Sequence, residues 1–260
     1  MPLITLTTDF GTKDHFAGVI KGVIAGIAPN ARVVDITHEI TPYDLNEGAF
    51  VIAEAWRWFP KGTIHVAVVD PGVGSARRPI VVEAGGHRFV GPDNGVFTPV
   101  YAAGPHKIRE IENSKLMLPY ISRTFHGRDI FAPAAAHLAN GVALARFGKW
   151  VRDPVLSAVL EPVKKGSRCW SGRILKVDRF GNLITNFRLG HRPDIGVRRF
   201  ELRIGSRRIA RLARNYAETE MGEVFAIEGS SGYLEISANQ DSAALKLGCG
   251  PGAPVDLEIL

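Results

Sequence analysis

Cysteine is scarce in this sequence, and the two residues present, Cys169 and Cys249, stand far apart with no CxxC pair. A disulfide-stapled scaffold or a zinc ribbon would need more thiols at closer spacing. None of the eight histidines stands three or four residues from another, and no HExxH pattern occurs. We therefore predict free thiols, a cytoplasmic location and no metal site.

Long hydrophobic runs and strong charge are also lacking. No apolar stretch approaches the roughly 18 residues of a membrane span, and Asp9 interrupts the N-terminus before a signal-peptide core could form. The 32 basic residues exceed the 26 acidic ones by a modest margin, which gives a net charge of +6 spread along the chain. Because a nucleic-acid footprint needs clustered charge, neither a membrane nor a nucleic acid is a predicted partner.

The first part of the chain contains alternating strand-like and helix-like segments. Apolar segments predict strands at residues 3–7, 31–36, 64–69, 80–84 and 88–90. Long helices are predicted at residues 14–28, with Asp14 as cap, and at residues 130–141, with Asp129 as cap. Another helix is predicted from Thr41-Pro42 to near Trp58, and a short one begins at Asn94. This alternation is typical of a mostly parallel, Rossmann-like α/β domain.

The pattern changes after about Pro154. Residues 155–168 contain Pro162 and Gly166 with little periodicity, which is typical of a linker. Short alternating segments follow at residues 173–177, 200–204, 207–212, 224–227, 233–237 and 255–259, and their spacing is typical of a small sandwich or barrel. We predict an α/β domain at 1–155, a linker at 156–168 and an all-β barrel domain at 169–260.

Two predicted central strands end in an acidic residue followed by turn residues, Asp9-Phe10-Gly11 and Asp70-Pro71-Gly72. Open α/β sheets bind ligands in loops at the carboxyl ends of their strands, so these acids indicate a small-molecule site. The Gly72-Val73-Gly74 segment is not a dinucleotide fingerprint, because Arg77 occupies the place of the third glycine. The glycines are better suited to a tight turn or a close approach to a ligand.

Taken singly, each motif has an ordinary structural interpretation. Asp70 and Arg77 suit a loop ion pair, Asp9 suits a turn, and His126 suits a loop before a helix. Residues 178–182 and 229–232 suit hairpin turns. Their joint occurrence in this order is much more specific than any one motif and indicates a particular protein family.

The ordered motifs resemble the S-adenosylmethionine hydrolase (SAM hydroxide adenosyltransferase) family, which is related to the fluorinase and chlorinase. The resemblance covers nearly the whole chain. The motifs that carry it are Thr7-Thr8-Asp9-Phe10-Gly11 with Asp14, Asp35-Ile36-Thr37-His38, Thr41-Pro42-Tyr43-Asp44, residues 70–77, Gly91-Pro92-Asp93-Asn94-Gly95, residues 124–129, residues 178–186 and Ser230-Ser231-Gly232-Tyr233-Leu234.

The resemblance implies hydrolysis of S-adenosyl-L-methionine to adenosine and L-methionine, by attack of water on the ribose C5′. It implies that Asp70, Arg77 and His126 position and activate the water. It also implies an N-terminal α/β domain, a C-terminal β-barrel and a homotrimer with the active site between subunits. S-adenosylmethionine would be the substrate, and no cofactor is implied.

The resemblance also assigns substrate-binding roles. Asp9 would accept hydrogen bonds from the ribose hydroxyls, and Phe125 would lie near C5′. The remaining substrate contacts implied are Phe180 and Tyr216 stacking on adenine, Asn182 at its polar edge, Asp178 and Ser230 at the methionine amine and carboxylate, and Asp14 at the amino-acid end.

Three other functions stay open at this point. One is a halogenase of the same fold, although those enzymes carry a tyrosine at the position of Asp70 and lack the histidine. Another is a protein that binds S-adenosylmethionine or adenosine with little turnover. The third is an RNA-binding barrel whose basic face would be Arg198, Arg199, Arg207, Arg208, Arg211 and Arg214, but only Phe200 and Tyr216 accompany these arginines.

Overall fold

The computed structural model describes residues 1–157, 161–191, 195 and 197–260. The chain divides into two compact units, Met1–Ser157 and Ala158–Leu260. Residues 158–160 of the predicted linker lie outside the described residues, and Val163–Lys164 within it form a short strand. In the part of the chain that is described, no helix is both long and apolar enough to cross a bilayer.

The first unit is built around a six-stranded sheet. Its strands are β1 (Leu3–Thr8), β2 (Arg32–Thr37), β3 (Ile64–Val68), β4 (Pro79–Ala84), β5 (His87–Pro92) and β6 (His106–Glu110). Its helices are α1 (Phe16–Ile27), α2 (Leu45–Ala55), α3 (Thr98–Ala102) and α4 (Ala132–Ala139), with one π-helical turn at Gly127–Phe131. Short 3₁₀ turns occupy Trp56–Trp58, Ser114–Leu116 and Leu144–Arg146.

The strand order is β2-β1-β3-β5-β4-β6, in which the first four strands pair in parallel and β4 is antiparallel to both of its neighbours. Every residue of β3 is buried, as expected of a central strand covered on both faces. Ile64, Val66 and Val68 belong to the core cluster that includes α1 and α4, whereas Ala67 belongs to the cluster that includes α2 and α3. The period-2 alternation of a strand thus explains why helices pack on both faces of this sheet.

The second unit contains a curled half-barrel sheet. Its strands are β7 (Val163–Lys164), β8 (Cys169–Val177), β9 (Leu183–Arg188), β10 (Phe200–Ile204), β11 (Arg207–Ile209), β12 (Leu212–Ala213), β13 (Val224–Glu228), β14 (Tyr233–Ala238) and β15 (Pro254–Ile259). The order is β11-β10-β15-β8-β9-β14-β13-β12, and β7 pairs with β8. One short helix, α5 (Ala243–Leu247), and the 3₁₀ turns Leu189–His191 and Tyr216–Glu218 complete the described part.

Most predicted strands lie close to their observed positions, but β6, β7 and β9 were not predicted and several helix starts differ. Helix α1 begins at Phe16 without a side-chain cap, so Asp14 is not its cap. Helix α2 begins at Leu45 instead of Pro42, because the carboxylate of Asp44 accepts the backbone N–H groups of Asn46 and Glu47. The carboxylate of Asp129 does not cap α4 and instead bonds to neighbouring residues of its own loop, as described below.

His65 is a buried base at the second position of β3. Its Nδ1 lies 2.7 Å from Thr5 Oγ1, its Nε2 lies 3.2 Å from His87 Nδ1, and its ring stacks on Phe89. Burial, reinforced by the charge of nearby His87, lowers the pKa of His65 to about 3. The folded protein therefore holds this imidazole neutral at a pH where an unfolded chain would protonate it.

Histidine 65 is expected to make the fold acid-sensitive. Because its folded pKa is depressed, its contribution to stability is complete above the unfolded value of 6.5 and is lost as the pH falls towards 3. Between pH 7 and pH 5 the wild type should lose about 2 kcal/mol more unfolding free energy than His65→Gln, which keeps hydrogen-bonding groups without a titrating base. Urea denaturation at both pH values measures this, and equal losses would contradict it.

Candidate functional site

Two acidic residues lie at adjacent strand ends of the first unit. Asp9 directly follows β1 and Asp70 lies two residues beyond β3, and these strands pair in parallel with Thr8 opposite Val68. Both side chains line one cavity of about 390 Å³. The sequence prediction that these acids share a site at the carboxyl edge of the sheet is therefore consistent with their placement.

Asp70 is held by the guanidinium of Arg77. Arg77 Nη2 donates to Asp70 Oδ2 at 2.5 Å, and Nε donates to the two carboxylate oxygens at 2.9 and 3.1 Å. The Asp70 and Arg77 side chains are only 5% and 9% exposed. Such a bidentate, nearly buried pair fixes the direction in which the carboxylate points.

His126 completes this group, which we call the Asp70–Arg77–His126 trio. Arg77 Nη2 lies 2.7 Å from His126 Nδ1. Because a guanidinium only donates hydrogen bonds, Nδ1 accepts, and the neutral imidazole carries its proton on Nε2. Burial and the positive charge of Arg77 lower the pKa of His126, which keeps the imidazole neutral below its ordinary titration range.

A π-helical turn places His126 in the cavity. The backbone N–H of Ala132 bonds to the carbonyl of Gly127, which closes the wide turn directly after the histidine. Gly127 is buried, and a Cβ there would lie 3.2 to 3.3 Å from side-chain atoms of Ile20, Phe10 and Phe125. A larger residue here would have to displace these side chains by a few tenths of an ångström.

Asp129, two residues after Gly127, anchors the preceding loop. It is fully buried, and its Oδ2 accepts the N–H and the hydroxyl of Ser122. Arg128 donates to both of its oxygens. Burial raises the pKa of Asp129, but these bonds from Arg128 and Ser122 outweigh it and lower the pKa overall. The carboxylate therefore stabilises the loop that carries Phe125 and His126.

Asp9 receives a hydrogen bond that the sequence did not foretell. The backbone N–H of Tyr43 donates to Asp9 Oδ2 at 3.0 Å. Burial raises the pKa of Asp9, and the nearby Asp70 charge acts in the same direction. Tyr43 is 72% exposed and lines the cavity. Its position two residues after Thr41, in a loop at the carboxyl end of β2, is the signal that could have identified it.

An aromatic wall borders the cavity. The rings of Phe10, Phe16 and Phe125 lie 5.1 to 6.0 Å apart, with Phe125 edge-on to the other two. Sequence analysis assigned only Phe125 to this role. The exposed ring of Phe16 at the start of α1 was missed, because an aromatic at a helix start is indistinguishable from a core residue in sequence.

The other predicted site residues lie elsewhere. Asp14 is exposed and is not among the residues that line this cavity. In the second unit, Phe180, Asn182 and Tyr216 line a separate cavity of about 550 Å³. The Phe180 ring is 78% exposed, and Tyr216 packs edge-on against Phe225. The structure thus brings the three predicted adenine contacts together.

Asp178 forms the turn between β8 and β9. Its Oδ1 accepts the N–H groups of Phe180 and Asn182, and its Oδ2 accepts the Asn182 side-chain amide. Ser230 is exposed in the turn between β13 and β14. Burial and the charge of Asp178 raise the pKa of Glu235, an acid that sequence analysis did not single out.

Metal-binding clusters were sought throughout the described ranges. In residues 1–157, 161–191, 195 and 197–260, no group of three or more His, Cys, Asp or Glu side chains could hold a metal ion.

Comparisons with known proteins identify relatives of both units. The family model described as the SAM hydroxide adenosyltransferase N-terminal domain matches residues 4–148, and that of the C-terminal domain matches residues 172–256. The (R)-S-adenosyl-L-methionine hydrolase of Thermus thermophilus is 39% identical over 96% of this chain and 97% of its own length. That of Methanocaldococcus jannaschii is 35% identical over 94% of this chain and 91% of its own.

A more distant relative and a solved structure complete the comparison. A fluorinase from Nocardia brasiliensis is 25% identical over 99% of this chain and 97% of its own length. The crystal structure of an uncharacterized conserved protein from Thermotoga maritima superposes with a TM-score of 0.90. It is 36% identical and covers 98% of this chain and 99% of that chain.

Gly74 is expected to be essential for the geometry of the trio. It has φ +77° in the loop between Asp70 and Arg77, and a Cβ there would lie 2.2 Å from the Arg123 carbonyl. Gly74→Ala should displace this loop and lower the catalytic rate by about 10²-fold, as misplaced reacting groups do. Gly22→Ala, on open surface in α1, is the matched control and should leave the catalytic rate unchanged. Comparable rates for both variants would contradict this assignment.

Proposed function

The chain belongs to the SAM hydroxide adenosyltransferase family, and on that premise we propose that it hydrolyses S-adenosyl-L-methionine to adenosine and L-methionine. The observation that carries the proposal is the partly buried trio of Asp70, Arg77 and His126 beside Asp9 in one cavity. Relatives 35% and 39% identical over nearly the whole chain, named as hydrolases of this substrate, support it.

The charge of the cavity suits a sulfonium. Asp9 and Asp70 line it, whereas Arg77 directs its Nε and Nη2 to Asp70 and His126. Burial raises the pKa of Asp9 and the charge of Asp70 adds to it, so a cationic ligand in the cavity would favour the ionised form of Asp9. A halide nucleophile would meet the negative charge of Asp70, which favours water over chloride or fluoride.

The attacking water would be held between His126 and Asp70. His126 Nε2–H donates to the water oxygen, since Nδ1 is occupied by Arg77. Asp70 Oδ1 carries a single contact from Arg77, at 3.1 Å, and so has a lone pair free to accept a proton of the water. Asp70 is then the proton acceptor, and His126 orients the water oxygen towards C5′.

The chemistry needs alignment more than acid catalysis. Water attacks C5′ opposite the C5′–S bond, the bond electrons return to sulfur, and L-methionine leaves as a neutral thioether. The new 5′-hydroxyl loses its extra proton to Asp70 and from there to solvent. Because the leaving group is neutral, the step requires neither a general acid nor a Lewis acid, and we assign no cofactor. The phenylalanine wall excludes stray water from the reacting carbon.

The remaining substrate contacts are assigned as the resemblance implies. Asp9 binds the ribose hydroxyls and Phe125 lies near C5′. The assignments for the rest of the substrate are Phe180 and Tyr216 on the adenine faces, Asn182 at the adenine edge, Asp178 and Ser230 at the methionine amine and carboxylate, and Asp14 as a further contact at the amino-acid end. These residues are divided between the two units.

That division supports the assembly proposed for the family. The domain bounds 1–155 and 169–260, a Rossmann-like first domain and a closed barrel in the second are parts of the same proposal. In a homotrimer, the first domain of one subunit would meet the second domain of its neighbour at each active site. Neither a nucleic acid nor a membrane is proposed as a partner, and two of the six arginines considered earlier, Arg208 and Arg211, already pair with Glu201 and Glu223.

Hydrolysis is tested by incubating the purified protein with S-adenosyl-L-methionine in water enriched in oxygen-18. We expect adenosine that carries the heavy isotope at the 5′-hydroxyl, together with unlabelled methionine. Asp70→Asn should lower the rate by about 10²- to 10⁴-fold, because it removes the proton acceptor. Mass spectrometry of adenosine and methionine measures which product carries the oxygen-18.

The same samples separate the other functions. Substrate that stays bound and intact would favour a binding protein with little turnover. A 5′-chloro or 5′-fluoro product in added halide would favour a halogenase. Absence of binding would remove S-adenosylmethionine as the ligand.

Two substitutions test the role of His126. The His126→Gln amide can place an N–H near the position of Nε2, whereas the His126→Asn amide reaches only the position of Nδ1. If His126 acts as a donor to water, His126→Gln should keep kcat within about tenfold of the wild type, and His126→Asn should lose about 10²-fold. Equal and severe losses in both would show that the imidazole is the base.

The pH profile gives an independent check. Because burial and Arg77 lower the pKa of His126 from 6.5, the neutral, donating form persists into mildly acidic solution. The acid limb of kcat should therefore lie below pH 6.5.

A further inference from the structure

The loop that carries Asp9 is bonded to one buried histidine outside the cavity. The N–H of Gly11 donates to the His38 carbonyl at 2.7 Å, and the N–H of Ile40 donates to the Thr8 carbonyl at 3.3 Å. The Thr8 hydroxyl lies 2.8 Å from His38 Nδ1. Asp9 thus lies between two residues, Thr8 and Gly11, that are each bonded to the segment at His38.

The hydrogen-bond directions in this cluster are constrained. Thr8 Oγ1 accepts the N–H of Phe10 at 3.3 Å, so its own proton is free to be donated to His38 Nδ1. The Thr8 side chain is fully buried, and His38 is 4% exposed. A bond between two buried polar groups is costly to break, because each would be left without a partner.

The Nε2 side of His38 faces the carboxylate of Asp35. His38 Nε2 lies 3.1 Å from Asp35 Oδ1, and Lys21 from α1 pairs with Asp35 Oδ2 at 2.5 Å. Burial raises the pKa of Asp35, but the bonds from Lys21 and His38 outweigh it and lower the pKa overall. Asp35 is therefore a stable anion next to His38 Nε2, although within the described residues that nitrogen makes no hydrogen bond of good geometry.

The segment after His38 also bonds to the carboxylate. Tyr43 adopts φ +69°, a left-handed backbone conformation that is strained for an aromatic residue. In this conformation its N–H donates to Asp9 Oδ2. The backbone on both sides of Asp9 and one of its oxygens are therefore all bonded to residues 38–43.

We propose that His38 is a positioning residue for the site, holding Asp9 through the Thr8 hydroxyl so that the carboxylate faces the ribose hydroxyls. The inference rests on the proposed function, because it concerns recognition of the ribose in that reaction. His38 itself is buried and is not among the residues lining the cavity. It acts on the substrate only through Asp9.

Thr8→Val removes the hydroxyl while nearly keeping the shape of the side chain, and Thr7→Val is its matched control. Thr7 is the next residue on the same strand and is equally buried, but in the described part of the chain its hydroxyl has no hydrogen-bond partner. We expect Thr8→Val to raise KM for S-adenosyl-L-methionine about tenfold with kcat changed much less, which is the signature of lost binding. Thr7→Val should leave both constants unchanged.

Variants of His38 test the same contact from the other side. His38→Asn can keep an acceptor near the position of Nδ1 and should retain a KM close to that of the wild type. His38→Leu removes the acceptor and should match Thr8→Val. Thermal unfolding of each variant identifies any that fails to fold. If a His38 variant fails to fold, the comparison of Thr8→Val with Thr7→Val still tests the inference.

A double-mutant cycle shows whether the effect passes through Asp9. Substitution of Thr8 should add little to the KM of Asp9→Ala, and it should weaken binding of adenosine as a competitive inhibitor more than that of 2′,3′-dideoxyadenosine. Equal weakening of both nucleosides, or an unchanged KM in Thr8→Val, would overturn the inference. Absence of turnover by the wild type would instead overturn the proposed function, so the two failures are distinguishable.

Discussion

The guanidinium of Arg77 holds the trio in the first cavity together, because it donates to Asp70 and to His126 at the same time. Its bonds fix the direction of the carboxylate, and its contact with Nδ1 decides which imidazole nitrogen carries the proton. Both partners in the Asp70–Arg77 pair are nearly buried, and removing one member of such a pair costs about 3–5 kcal/mol. The arrangement of Asp70 and His126 therefore depends on this one side chain.

The position of Arg77 depends in turn on the loop after β3 and on the π-helical turn after His126. Gly74 lets the loop pass the Arg123 carbonyl, and Gly127 lets the turn pack against Phe10 and Phe125. The parallel pairing of β1 with β3 brings Asp9 to the same edge of the sheet. Two acids and an aromatic wall at one edge form a cavity whose charge and surface suit a cation attached to a nucleoside.

Hydrophobic patterning predicted the strands of the first unit well, because a buried strand ends where turn residues begin. Two strands that were not predicted, one in each unit, are informative. Strand β6, residues His106–Glu110, carries several charged side chains and has no apolar signal. Strand β9, Leu183–Arg188, was not predicted, because most of it lies within the motif of residues 178–186. The hairpin turn of residues 178–182 nevertheless implies a strand on each side.

Helix starts were predicted less well, because several residues nearby can serve as caps. Thr41-Pro42 resembles a start, yet Asp44 caps α2 and leaves Tyr43 in a left-handed conformation beside Asp9. A sequence shows which residues can accept a backbone N–H but not which one tertiary packing selects.

The sequence by itself determined the order of the motifs, the acids at two strand ends and most strands of the first unit. These follow from local periodicity and residue chemistry, which are properties of short segments. Only the tertiary structure decided that Arg77 Nη2 meets His126 Nδ1, that the Tyr43 N–H meets Asp9, and that the Thr8 hydroxyl meets His38. Each of these contacts joins residues 30 or more positions apart, and its direction depends on how whole elements pack.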